Sequence, residues 1–130
     1  MIAVDTNILV RLLIDDPSAP KQINLAKALL KKARQVFVPQ IVQIELVWVL
    51  ESAYGFDKAA VITVLKHLQQ SVVFVLQQAS QFDAALIHFE NQPADFSDYL
   101  ILSACLEDKH QLFTFDRKFA RLQLVNLLKE

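Results

Sequence analysis

Glycine is almost missing from this chain: Gly55 is the only one among 130 residues. A loop that cradles phosphates needs several glycines so that the backbone can approach them. P-loop and Rossmann dinucleotide chemistry are therefore poor readings. Cysteine is as scarce. Cys105 stands alone, which excludes an internal disulfide and suits a reducing compartment. Neither sign of charge dominates, and the net charge of −1 predicts neither a strongly basic nucleic-acid binder nor an acidic tail. No uncharged run reaches the ~18 residues a membrane helix needs. No leader pattern is seen, since Asp5 falls where a signal peptide turns apolar. The expectation is a soluble, cytoplasmic protein with no membrane contact.

What is abundant is apolar. Hydrophobic residues make up 54% and charged ones 21%, above and slightly below ordinary usage. That argues for a large core in one domain, residues 1–130, with an apolar face left for a partner. Met1-Ile2-Ala3-Val4-Asp5-Thr6-Asn7-Ile8-Leu9 sets the pattern. A short apolar run ends in a carboxylate and an amphipathic run begins at once. This reads as a buried strand, Ile2 to Val4, followed by a helix, Thr6 to Ile14, with Asp5 at the strand's carboxyl end. Ligands of open α/β sheets bind at that end. Asp5 or Thr6 also has the ordinary role of an N-cap, and Asn7 that of a turn residue.

The periodicity predicts further helices over Ser18 to Arg34, Gln40 to Tyr54, Asp57 to Gln70 and Ser80 to Asn91, with another after Pro93. Short strands are predicted at Val36 to Val38, Val72 to Leu76, Leu112 to Phe115 and Val125 to Leu128. Gly55 reads as a left-handed cap. The apolar run at Val72 to Leu76 suggests a strand buried on both faces. Lys21, Lys27, Lys31, Lys32 and Arg34 read as a solvated helix face more readily than as phosphate contacts. His67, His88 and His110 are too far apart for a zinc site. Cys105 reads as a packed thiol.

Glu45 is an anomaly, a carboxylate sharing a helix face with Ile41, Trp48 and Val49. It is either a half-exposed residue beside a surface Trp or a ligand pointing into a cleft. Asp95 and Asp98 suit an N-cap and a first helical turn. Asp116 closes the fourth strand as Asp5 closes the first. If those strands are neighbours, Asp5, Glu45, Asp98 and Asp116 can meet at one sheet edge. Two such charges ~4 Å apart repel by about 4 kcal/mol at a dielectric near 20, so the group must protonate or hold a cation. Hard oxygen ligands favour Mg2+, or Mn2+, over Zn2+. Such a site suits phosphodiester hydrolysis.

Four segments carry a resemblance. They are Val4-Asp5-Thr6-Asn7, Glu45-Leu46 with Val49-Leu50, Asp95-Phe96-Ser97-Asp98-Tyr99-Leu100-Ile101 and Thr114-Phe115-Asp116-Arg117-Lys118-Phe119. In this order they resemble the PIN domains, particularly the VapC-like toxins of type II toxin–antitoxin pairs. The resemblance implies a three-layer α/β/α fold with a mostly parallel central sheet of four or five strands. It also implies metal-dependent RNA cleavage, a homodimer, and a cognate antitoxin over the acidic groove. Carried over, Asp5, Glu45, Asp98 and Asp116 are the catalytic, metal-binding acids. Asn7 and Thr114 orient carboxylates, and Asp95 lies nearby. Arg11, Lys118 and Arg121 are the candidates for holding the phosphate backbone. The competing readings are a DNA nuclease of the same architecture and a non-catalytic interaction module whose acids are caps. A phosphoacceptor receiver domain would need a lysine after the last strand, where Phe115-Asp116 stands.

Overall fold

A computed structural model describes all residues, Met1–Glu130. The chain forms two compact units, Met1–Ala79 and Ser80–Glu130. In the first, strand β1 (Ile2–Ala3) leads into helix α1 (Thr6–Leu13) and α2 (Pro20–Ala33). Strand β2 (Val36–Val38), helices α3 (Gln40–Ser52) and α4 (Lys58–Gln70) and strand β3 (Phe74–Leu76) follow. Helix α5 (Ala79–Asn91) opens the second unit, with α6 (Phe96–Glu107), β4 (Leu112–Thr114), a 3-10 turn at Phe119–Arg121 and β5 (Val125–Leu127). No helix is long and apolar enough to cross a membrane.

The class is α/β and every strand pairing is parallel. The first unit holds a sheet of order β1-β2-β3, with Ile2 opposite Val36 and Val36 opposite Phe74. The second holds β4 and β5, with Leu112 opposite Val125. The five expected strands are thus divided three and two, and β1 and β4 belong to different sheets. Central strand β2 carries the fully buried Val36 and Val38. Leu9, Leu46, Leu50, Val61, Leu65 and Leu68 complete that core. The expectation of a β3 buried on both faces fails at its start. Val72 lies outside the strand and is 85% exposed, because β3 is the sheet's edge. In the second unit Phe96 meets Phe82 and Phe89 edge to face, and Tyr99 is fully buried.

Helix ends follow local chemistry. Asp5 caps α1 by accepting from the Ile8 N–H at 3.1 Å, and Asp57 caps α4 through the Ala60 N–H at 2.9 Å. Pro20 occupies the first turn of α2, where its missing N–H costs nothing. Beyond α3, the Phe56 N–H reaches back to the Leu50 carbonyl at 2.9 Å while Gly55 turns to φ +64. That is the left-handed stop expected of the lone glycine.

The carboxyl ends of β2 and β3 are stitched together by glutamines. Gln77 accepts from the Gln40 N–H at 2.8 Å and donates its own N–H to the Val38 carbonyl at 3.0 Å. Gln43 is wholly buried; its Nε2 donates to the carbonyls of Val38 at 3.2 Å and Gln77 at 2.9 Å. Its Oε1 is buried without a hydrogen-bond partner.

Candidate acidic site

In the first unit, Asp5 sits where β1 hands over to α1. It is exposed, with an extended backbone at φ −84 and ψ −179, so one carboxylate oxygen caps the helix while the residue stays open to solvent. Asp5 and Asn7 line a cavity of about 310 Å3 with Ile8, Arg11, Gln22, Leu25, Ala26 and Leu29. Leu25, 72% exposed, and Leu29 border this groove. Only Ile23 and Ala26 of α2 are buried.

Arg11 is engaged within the protein. Its Nε donates to Gln22 Oε1 at 2.8 Å and its Nη1 to the Tyr54 hydroxyl at 3.1 Å, and Asp16 Oδ2 stands 3.5 Å from Nη1. Tyr54 passes its own proton to Asp16 Oδ2 at 2.8 Å. Bonds from the Ser18 hydroxyl and N–H, then from Tyr54, hold the Asp16 carboxyl down at about 2. Asp16 thus ties its turn to Arg11 of α1 and to Tyr54, just beyond α3. Glu45 is exposed, as are Ile41 and Trp48 on the same helix face.

The second unit gathers three of the predicted acids electrostatically. Asp98 opens α6, and its Oδ2 accepts from the Asp95 N–H at 3.3 Å, while its N–H donates to the Asp95 carbonyl at 3.0 Å. Burial pushes the Asp98 carboxyl above the usual range. The bond from the Asp95 backbone pulls it down, and the charges of Asp95 and Asp116 push it up again. The Asp116 Oδ1 accepts from the N–H groups of Lys118 at 2.9 Å and Phe119 at 3.3 Å, which starts the 3-10 turn. The Thr114 Oγ1 accepts from the Asp116 N–H at 3.0 Å, a bond to the backbone of Asp116. The side chains of Lys118 and Arg121 are exposed.

Tyr99 follows Asp98 in α6 and is fully buried. Its hydroxyl accepts from the buried Ala94 N–H at 2.9 Å, its ring stacks on His88 and meets Phe119 edge-on. Burial first, then the charges of Asp98, Asp95 and Asp116, raise its phenol. Its place directly after Asp98 was the one clue in the sequence. His88 is thereby a packing residue, while His67 and His110 are exposed.

The donor set suits a hard divalent cation. Asp95, Asp98 and Asp116 offer carboxylate oxygens, and Asp98 is raised first by burial and then by the charges of the other two. Within neither unit are three acidic, imidazole or thiol groups gathered closely enough to hold a metal ion as they stand.

A small α/β chain with parallel strands and carboxylates at strand ends and helix starts defines a class, and the family comparison agrees. The PIN domain model matches residues 2–124, and the chain belongs to that family. Among solved structures it is similar to a crystal structure of Mycobacterium tuberculosis VapC20, described as a sarcin-ricin loop cleaving toxin. The identity is 18% and the TM-score 0.43, over 99% of this chain and 100% of that one. No curated protein matches.

Proposed function

We propose that this chain is a Mg2+-dependent endoribonuclease, the toxin of a VapBC-type toxin–antitoxin pair. Mn2+ is an alternative ion, and a cognate antitoxin and a second copy of the chain are its protein partners. The observation that carries the reading is Asp98, a carboxyl raised by burial and by its acidic neighbours Asp95 and Asp116 in a PIN-family chain. Clustered like charges whose ionisation is disfavoured mark functional sites more often than structural ones.

Asp5, Glu45, Asp98 and Asp116 are the acids assigned to the reaction. When bound, Mg2+ would neutralise phosphate charge and acidify a water. The chain's own work is orientation. The Asp95 N–H fixes one oxygen of Asp98, and the Lys118 and Phe119 N–H groups fix one oxygen of Asp116. The Thr114 hydroxyl holds the backbone at Asp116. Ionised Asp98 is the form that binds a cation, so its raised value should make metal affinity fall as pH is lowered through it.

The test is cleavage of a defined single-stranded RNA with Mg2+, with DNA of the same sequence alongside, by wild type and Asp5→Asn. Wild type should cut RNA and not DNA. D5N should lose cleavage but keep its fold, because an asparagine oxygen caps a helix about as well as aspartate. A D5N protein that cuts normally would remove Asp5 from the reaction. Failure of wild type to cut any RNA would leave the acids as helix caps.

A further inference from the structure

Phe115 is a large aromatic residue left 65% exposed, one residue before Asp116. Phe113, within β4, is 56% exposed. Phe115 borders a cavity of about 620 Å3 together with Arg117, Leu127, Leu128, Lys129 and Glu130. That volume is within the ~300–1,000 Å3 of small-ligand sites. Its lining is mixed: one aromatic face, two leucines, two cations and one carboxylate. An apolar helix laid there would strip water from Arg117 and Lys129 and offer them nothing. A nucleotide uses both parts, since a base stacks on the ring and its phosphates meet the cations. Asp116 lies between Phe115 and Arg117 in the chain, and its carboxylate is fixed by two backbone N–H groups of the following turn.

We infer that Phe115 is the stacking platform for an RNA base beside the hydrolysed bond, with Arg117 and Lys129 as phosphate contacts. This rests on the ribonuclease reading above. It assigns a substrate-binding role to residues other than Arg11, which is engaged with Gln22 and Tyr54.

The probe is a fluorescein-labelled, unstructured single-stranded RNA, titrated with protein in EDTA so that no cleavage occurs, and read by anisotropy. One stacked base contributes ~1–3 kcal/mol, so Phe115→Ala should weaken binding about fivefold or more. Phe115→Tyr should restore it and Phe115→Leu should not, because the leucine has no π-face. Arg117→Gln and Lys129→Gln should each make binding less salt-dependent. Wild-type-like binding by F115A or F115L, or no RNA binding by wild type, overturns the platform. Circular dichroism on each variant establishes that the fold is kept; if F115A does not fold, the contrast between F115L and F115Y decides. The two readings fail separately. Absence of Mg2+-dependent cleavage by a wild type that binds RNA through Phe115 sinks the ribonuclease reading. Normal binding and cleavage by F115A sinks only the platform.

Discussion

Gln43→Glu replaces one side-chain atom by another of nearly the same size and reverses its hydrogen-bonding sense. The carboxamide is wholly buried, its Nε2 donating at 3.2 and 2.9 Å to the carbonyls of Val38 and Gln77. Its Oε1 already lacks a partner. Two lost bonds at ~1 kcal/mol each cost about 2 kcal/mol. A carboxylate facing two carbonyl oxygens adds the penalty of an uncompensated buried charge, and such changes cost ~3–5 kcal/mol in all. Proton uptake limits the loss, since a neutral carboxyl can donate one O–H. The Q43E carboxyl therefore has a folded-state pKa above the ~4.3 of the unfolded chain. Stability is retained below the unfolded value and lost as pH rises through the folded one. Urea unfolding followed by circular dichroism at pH 4.5 and pH 7 should show Q43E about 1 kcal/mol weaker than wild type in acid, for the one bond still lost, and about 3–5 kcal/mol weaker at neutrality. Gln43→Leu removes the same bonds but also the orphaned acceptor, so it should lose no more than about 2 kcal/mol and show no such pH slope. An unchanged midpoint for Q43E at pH 7 would mean that this carboxamide is neither dry nor used as a donor.

In the metal-free protein, the raised Asp98 carboxyl makes stability fall as pH rises through its folded value. Asp98→Asn should flatten that part of the melting-temperature profile and also remove any stabilisation by Mn2+. Asp16 acts in the opposite sense. Its value of about 2 against an ordinary 3.8 means that its contribution is present above 3.8 and lost as pH falls toward 2. Asp16→Asn should erase this acid limb, and an unaltered limb would clear the Ser18 and Tyr54 bonds of any role. Gly55→Ala meets no atom within 4 Å but must hold φ +64, so it should cost about 1 kcal/mol in urea unfolding through backbone strain alone.

Helices and strands were largely legible because their signals are local. Asp5, Asp57, Pro20 and Gly55 mark helix ends by their own chemistry, and the observed ends stand within a residue or two of those read from periodicity. The division of strands into two sheets was not legible, since pairing depends on partners distant in sequence. Burial of polar groups was missed for the same reason. Nothing around Gln43 in the chain announces two carbonyls arriving from β2 and from the turn after β3. Composition did suggest surplus apolar surface, and Leu25, Ile41 and Trp48 supply it. Of the acids, Asp98 is half-buried and feels the charges of Asp95 and Asp116, while Asp5 and Glu45 belong to the other unit. The second role of Asp116, starting a 3-10 turn, was invisible because that turn has no periodic signature.

The acids assigned to chemistry are also joinery. Asp5 seats α1, Asp98 closes the first turn of α6 and Asp116 starts the turn at Phe119. A gene copy released from selection for any activity would still be selected to fold, and folding alone would preserve these aspartates. Their survival in a relative is weak testimony that the relative is alive as an enzyme. Glu45, exposed in the middle of its helix and capping nothing, would be the first to drift.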